Sequence, residues 1–220
     1  MEYQGTKNYM ELGGKIISIS LNDNDENTRG RTFASMILQT EGRKRKGVDE
    51  PILIDHMAII LDDKAFEFYD RFSKGDNVVV KGHTKVSMYD NSNDGVDRIT
   101  EIVVDTMELL PNNESRNRME LIGEIITTPK EKILDKENNK RLTTMLVRTF
   151  AKPREGLTVA VPVRHAVVGF NELSDKIQGE FRKGDKVSIV GYSKVTTYSN
   201  SNKGTDSVTE LVVEEANRVL

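Results

Sequence analysis

The sequence predicts an all-β protein with one short helix per domain, arranged as two tandem five-stranded barrels. Three observations carry this expectation. They are a domain-sized internal repeat, short alternating apolar runs bounded by turn residues, and one helical segment at the same place in each copy. The stretch Phe72–Val104 recurs at Phe181–Val213 without a gap. Phe72, Lys74-Gly75-Asp76, Gly82, Lys85, Tyr89, Asn91, Gly95, Asp97 and Thr100-Glu101 all return 109 positions later. A period of that size is far beyond a solenoid unit and means two similar domains. The expected boundaries are 1–110 for the first domain, 111–118 for a polar linker and 119–220 for the second.

Each copy justifies its elements in order. Met1–Asn8 reads as a short, frayed polar leader. Tyr9–Ser20 alternates as a first strand, with Gly13-Gly14 marking a bend or bulge, and Met119–Ile126 opens the second copy in the same register. Thr32–Thr40 and Arg141–Thr149 are second strands. Pro51–Leu61 and Thr158–Phe170 are third strands, carrying His56 and His165. Asp62–Phe72 follows as a short helix, with Asp62 able to cap it and Phe66, Tyr69 and Phe72 along one face. Asn171–Phe181 answers it, with Leu173, Ile177 and Phe181. Lys-Gly-Asp then turns the chain into a fourth strand, Asn77–Met88, a polar loop, Tyr89–Asp97, and a fifth strand, Arg98–Leu109. Three strands, a helix and two strands is the order of the OB-fold, a small, partly open barrel.

Composition narrows the function. A hydrophobic share of 36% over 220 residues supplies two modest cores. The absence of cysteine excludes disulfides and thiolate metal sites. No apolar run is long enough to span a bilayer, and the first residues are too polar for a signal peptide, so a soluble cytoplasmic protein is expected. The net charge of −3 hides clustering: Arg29–Lys46 carries +5, with Arg43-Lys44-Arg45-Lys46 in one loop, and Lys130–Arg154 also carries +5. Basic runs are usually solvated loops, but recurrence in the same region of both copies favours phosphate binding. His56 and His165 have no ligand neighbours and read as structural. With no phosphate loop, nucleophile elbow or helical His pair, no enzyme, metal or cofactor is expected.

The ordered set Lys74-Gly75, Gly82, Lys85, Tyr89, Gly95 and Thr100-Glu101-Ile102-Val103-Val104, present again in the second copy, resembles the bacterial and phage-type single-stranded DNA-binding protein family. His165-Ala166-Val167-Val168-Gly169-Phe170 resembles the family's third strand, where the first copy departs with Leu61. Two further departures are the lack of tryptophan and a chain that stops soon after the last strand, without the family's acidic-tipped tail. These departures point to a specialised form, such as one encoded by a phage or mobile element.

The resemblance implies an OB-fold binder of single-stranded DNA in replication, recombination or transfer, at the nucleoid or a phage replication site. It also implies a homodimer presenting four OB-folds, with replication or recombination proteins as further partners. Such binding needs stacking aromatics and a basic groove. Tyr89 and Tyr198 stand where the resemblance places a stacking ring, beside Lys85 and Lys194. Phe170 is the second-copy stacker by resemblance, and Phe150, next to Arg148 and Lys152, is a further candidate. Arg31, Arg43, Lys44, Arg45, Lys46 and Arg154 complete the phosphate-binding set. The competing expectation is an OB-fold module that binds protein partners, because the fold alone does not choose.

Overall fold

The computed structural model describes all residues except 1, 4, 23–31, 43–49, 92–94, 113, 152–159, 202–203 and 220. The first half holds β1 (Glu2–Tyr3), β2 (Thr6–Asn22), β3 (Phe33–Glu41), β4 (Leu53–Leu61), α1 (Asp63–Arg71), β5 (Asn77–Asp90) and β6 (Val96–Leu109). The second half holds β7 (Arg116–Ile125), β8 (Lys130–Asp135), β9 (Lys140–Ala151), β10 (Val161–Phe170), α2 (Glu172–Glu180), β11 (Lys186–Ser199) and β12 (Thr205–Arg218). Packing divides the chain into two compact units. The first comprises Met10–Asn117 with Thr197–Ser207, and the second Met1–Tyr9, Arg118–Thr196 and Val208–Leu220.

In the first unit the strands close as β2-β3-β4-β6-β5 and back to β2, with β4–β6 the one parallel pair of that ring. The second unit repeats the ring as β7-β9-β10-β12-β11, with β10–β12 parallel. This is the OB-fold order in both, all-β apart from one helix each. Alternation sends Leu12, Met36, Leu38, Val80 and Ile102 into the first barrel and Leu121, Met145, Val147, Ile189 and Leu211 into the second.

The residues that recur between copies mostly maintain this scaffold. Gly75 and Gly184 take φ of 100° and 96°, a turn conformation that favours glycine. Asp76 Oδ2 accepts the Ser73 N–H at 2.8 Å, and Asp185 Oδ2 accepts the Arg182 N–H at 2.7 Å. Gly82 and Gly191 are needed for space, since a Cβ would lie 2.1 Å from Val103 O and 1.9 Å from Val212 O. Asn91 closes its hairpin by accepting the Gly95 N–H and donating to Asp97, both at 2.9 Å. Asn200 repeats this with Gly204 and Asp206.

Four expectations need correction. The described residues of the leader form strand: β1 pairs with Thr6–Lys7, Thr6 and Asn8 are buried, and Lys7 Nζ meets Glu120 Oε2 at 2.5 Å. Strand pairing satisfies backbone groups, so a polar sequence suffices there. The buried stripe of α1 is Ala65 and Phe68, continued by Phe72, while Phe66 and Tyr69 are exposed. The matching stripe in α2 is Ser174 and Ile177 with Phe181, whereas Leu173 is only half-buried. Asp62 precedes α1 with φ 58° and makes no side-chain cap. Finally, part of the basic segment 130–154 is strand β8, turned onto β9 by Asp135, which accepts the N–H groups of Glu137 and Asn138.

The two recurring histidines belong to the cores. His56 Nε2 is hydrogen-bonded to Thr40 Oγ1 at 2.9 Å, and His165 Nε2 to Thr149 Oγ1 at 2.8 Å. Burial disfavours the imidazolium and lowers their pKa from the ordinary 6.5 to about 4 and about 3. Asp55 pulls His56 weakly the other way. The unfolded chain therefore binds protons that the native state refuses, and stability is full above pH 6.5 and falls as pH drops from there towards 4–3. Denaturant midpoints measured from pH 7 to 4 should fall steeply in wild type. The slope should be shallower in His165→Gln.

Candidate nucleic-acid interface

In each barrel the alternation that fills the core also sends a second set of side chains outwards, and cross-strand register shows which of them share a face. In the second unit, Arg148 on β9 stands opposite Arg164 on β10 and opposite Glu124 on β7. Two residues on, Phe150 faces Pro162. Six residues back, Leu142 faces Phe170 on one side and Lys132 of β8 on the other. Lys130 stands beside Thr144 on the same face. One outer surface thus carries Phe150, Phe170, Arg148, Arg164, Lys130 and Lys132, spread over roughly 26 Å of strand.

Arg148 is held in place. Its Nη2 donates to Glu124 Oε2 at 2.6 Å, and its guanidinium lies 5.5 Å from the Phe150 ring centroid. That is the range of a cation–π contact, which orients the charge against the ring face. The Phe150 N–H donates to Thr6 Oγ1 at 3.0 Å, so the ordered N-terminal strand fixes this end of the surface. On the same barrel, Lys194 Nζ lies 3.9 Å from Glu210 Oε2, which also accepts a hydrogen bond from Thr196 Oγ1 at 3.0 Å.

The first unit builds a different outer face from the same strands. Tyr89 sits near the end of β5, one residue before the hairpin loop, and is 41% exposed. Its hydroxyl donates to Glu101 Oε1 at 2.5 Å, and Ser87 Oγ donates to Glu101 Oε2. Burial, then the bond to this carboxylate, raises the phenol to about 12, so it remains a neutral donor. Glu101 is therefore an anchor that orients the ring, a role its recurrence in Thr-Glu did not reveal. Lys85 stands directly across from Glu101. Tyr198, at the equivalent position of β11, is 49% exposed and lies in the segment Thr197–Ser207 of this unit. There Asp206 and Ser207 pair in parallel with Arg98 and Ile99.

The departure at Leu61 has a structural counterpart. Leu61 stands directly opposite Phe33, and Phe170 directly opposite Leu142. The aromatic has moved across the strand pair, from β10 in the second copy to β3 in the first, onto the same half-buried patch. Phe33, Arg164, Lys130 and Lys132 are surface residues that the sequence did not single out. The exchange at positions 33 and 142 was visible in the repeat, but only the strand register gives it meaning. Arg31, Arg43, Lys44, Arg45, Lys46, Lys152 and Arg154 lie outside the described residues.

Fold and surface together define a class: a chain of two OB-folds whose outer sheet faces combine aromatics with fixed cations. Residues 116–219 match the single-strand binding protein family. The match spans 104 of the 220 residues and describes the second OB-fold. Among solved structures it is similar to the wild-type single-stranded DNA binding protein from Thermus aquaticus, at 14% identity and a TM-score of 0.74, over 98% of this chain and 94% of that one. A deletion mutant of the same protein gives 15% identity and a TM-score of 0.75, over 98% and 95%. At such identities the likeness is one of fold. No curated protein sequence matches significantly.

Proposed function

We propose that this protein binds single-stranded DNA with little sequence preference, stacking bases on half-buried and exposed aromatics and neutralising phosphates with basic side chains. The observation that carries the reading is the surface of Phe150, Phe170, Arg148, Arg164, Lys130 and Lys132, located in the half that matches the family. Sequence-tolerant binding needs this combination, because every base has a π-face and every nucleotide a phosphate. Tyr89 and Tyr198 extend the stacking set. Lys85, Lys194 and the basic residues at 31, 43–46, 152 and 154 extend the charge.

Such a binder serves replication, recombination or strand transfer in the cytoplasm, at the nucleoid or a phage replication site. As a homodimer it would present four OB-folds, a state that sedimentation with and without DNA would read. A mobility shift with labelled oligothymidine, competed by unlabelled duplex, tests the reading. Retention of the shift under excess duplex is the expected result. Loss of the shift to duplex, or no shift at all, would favour a protein-binding module instead.

A further inference from the structure

We infer that the two units take unequal shares of a bound strand at one pair of equivalent positions: Arg148 and Arg164 on β9–β10 of the second unit hold phosphate, whereas the matching Gln39 and Asp55 on β3–β4 of the first do not. This rests on the single-strand-binding reading. It follows from positions equivalent by both the 109-residue offset and the strand register.

Where the second unit pairs Arg148 with Arg164, the first pairs Gln39 with Asp55. There the Gln39 amide Nε2 donates to Asp55 Oδ1 at 2.9 Å. Where the second unit has Phe150, the first has Glu41, and where it has Glu124, the first has Lys15. Over these four positions the charge is −1 in the first unit and +1 in the second. The second unit adds Lys130 and Lys132 from β8, which flank the same face, and the first has no such strand among its described residues. Next to the Gln39–Asp55 pair on this face, the first unit carries Ile37 opposite Met57.

Arg148 is also poised to accept a further partner. Glu124 engages Nη2, but its Nε–H is buried without an acceptor among the described residues. A phosphate oxygen on this face would supply one. In the first unit the corresponding donor is a neutral amide already engaged by a carboxylate, and a phosphate there meets the charge of Asp55. Rings remain in both units, with Phe33 and Tyr89 in the first and Phe150 and Phe170 in the second. The asymmetry therefore lies in phosphate neutralisation at this strand pair.

The test is the salt dependence of oligothymidine binding, in which each neutralised phosphate contributes about 0.7 to the slope of log K against log salt for single strands. The variant Arg148→Gln with Arg164→Asp gives the second unit the residues of the first. It should flatten the slope by about 1.4 and weaken binding at least tenfold in moderate salt. Gln39→Ala with Asp55→Ala should leave the slope unchanged. Gln39→Arg with Asp55→Arg should steepen it by about 1.4, a gain that a misfolded variant cannot give. Wild type that fails to bind oligothymidine would remove the single-strand-binding reading itself. Wild type that binds, with the Arg148/Arg164 variant keeping its slope or the Gln39/Asp55 alanine variant losing as much, would overturn the unequal division alone.

Discussion

Replacing Tyr89 and Tyr198 together by alanine should weaken oligothymidine binding by roughly 30-fold or more. A stacked base is worth about 1–3 kcal/mol per ring, and each 1.4 kcal/mol is a factor of ten. Both rings are about half exposed at equivalent places near hairpin tips. Tyr89 is oriented by a buried carboxylate, so its ring pays little ordering entropy on binding. The tyrosines also pack locally, and Tyr89→Phe separates the two roles. It keeps the π-face but removes the donor from Glu101 Oε1, so it should lose some stability while holding affinity within a few-fold. Fluorescence-independent titration, such as anisotropy of a labelled strand, reads both variants. A double alanine variant that folds and binds within twofold of wild type would remove the tyrosines from the interface.

The largest stability loss is expected at Gly191. An alanine Cβ there would sit 1.9 Å from the carbonyl oxygen of Val212, a backbone atom of the paired strand that cannot rotate away. The ladder between β11 and β12 must separate locally, and overpacking of this kind costs about 3 kcal/mol or more. Gly184→Ala is the informative comparison. It recurs between copies just as Gly191 does, but its added Cβ meets nothing within 4 Å. Only its φ of 96° opposes a side chain, which costs about 1–2 kcal/mol. Thermal unfolding should therefore shift several degrees further for Gly191→Ala than for Gly184→Ala. Equal shifts would mean that the strand pair has more room than this geometry allows.

The fold was legible because its determinants are local. Alternating apolar residues, Lys-Gly-Asp turns and a helical spacing between third and fourth strands each act over a few residues, and the 109-residue offset doubled every signal. The N-terminal strand and β8 were not legible, since edge pairing satisfies backbone groups and tolerates Lys, Glu, Thr and Asn. The helix face was misjudged because three-residue spacing of Phe66, Tyr69 and Phe72 competes with the Ala65–Phe68–Phe72 spacing that is buried. Only Phe72 recurs as Phe181, which already favoured the stripe that returns as Ser174 and Ile177.

The candidate surface was half legible, for a related reason. What recurs between copies, Gly82, Asn91, Gly95, Asp97 and Glu101 among them, holds the backbone or orients a ring. What differs, Gln39 against Arg148, Asp55 against Arg164 and Phe33 against Leu142, lies on the outer faces. A copy-by-copy comparison shows the differences, but only pairing across strands shows that they form one surface.

The central claim is most directly tested by tyrosine emission during titration with oligothymidine at two salt concentrations. With no tryptophan present, the signal comes from the tyrosines alone. Stacking on Tyr89 and Tyr198 predicts quenching that saturates with added strand, and an affinity that falls as salt rises because bound phosphates release counterions. Unchanged emission, or an affinity insensitive to salt, would contradict it.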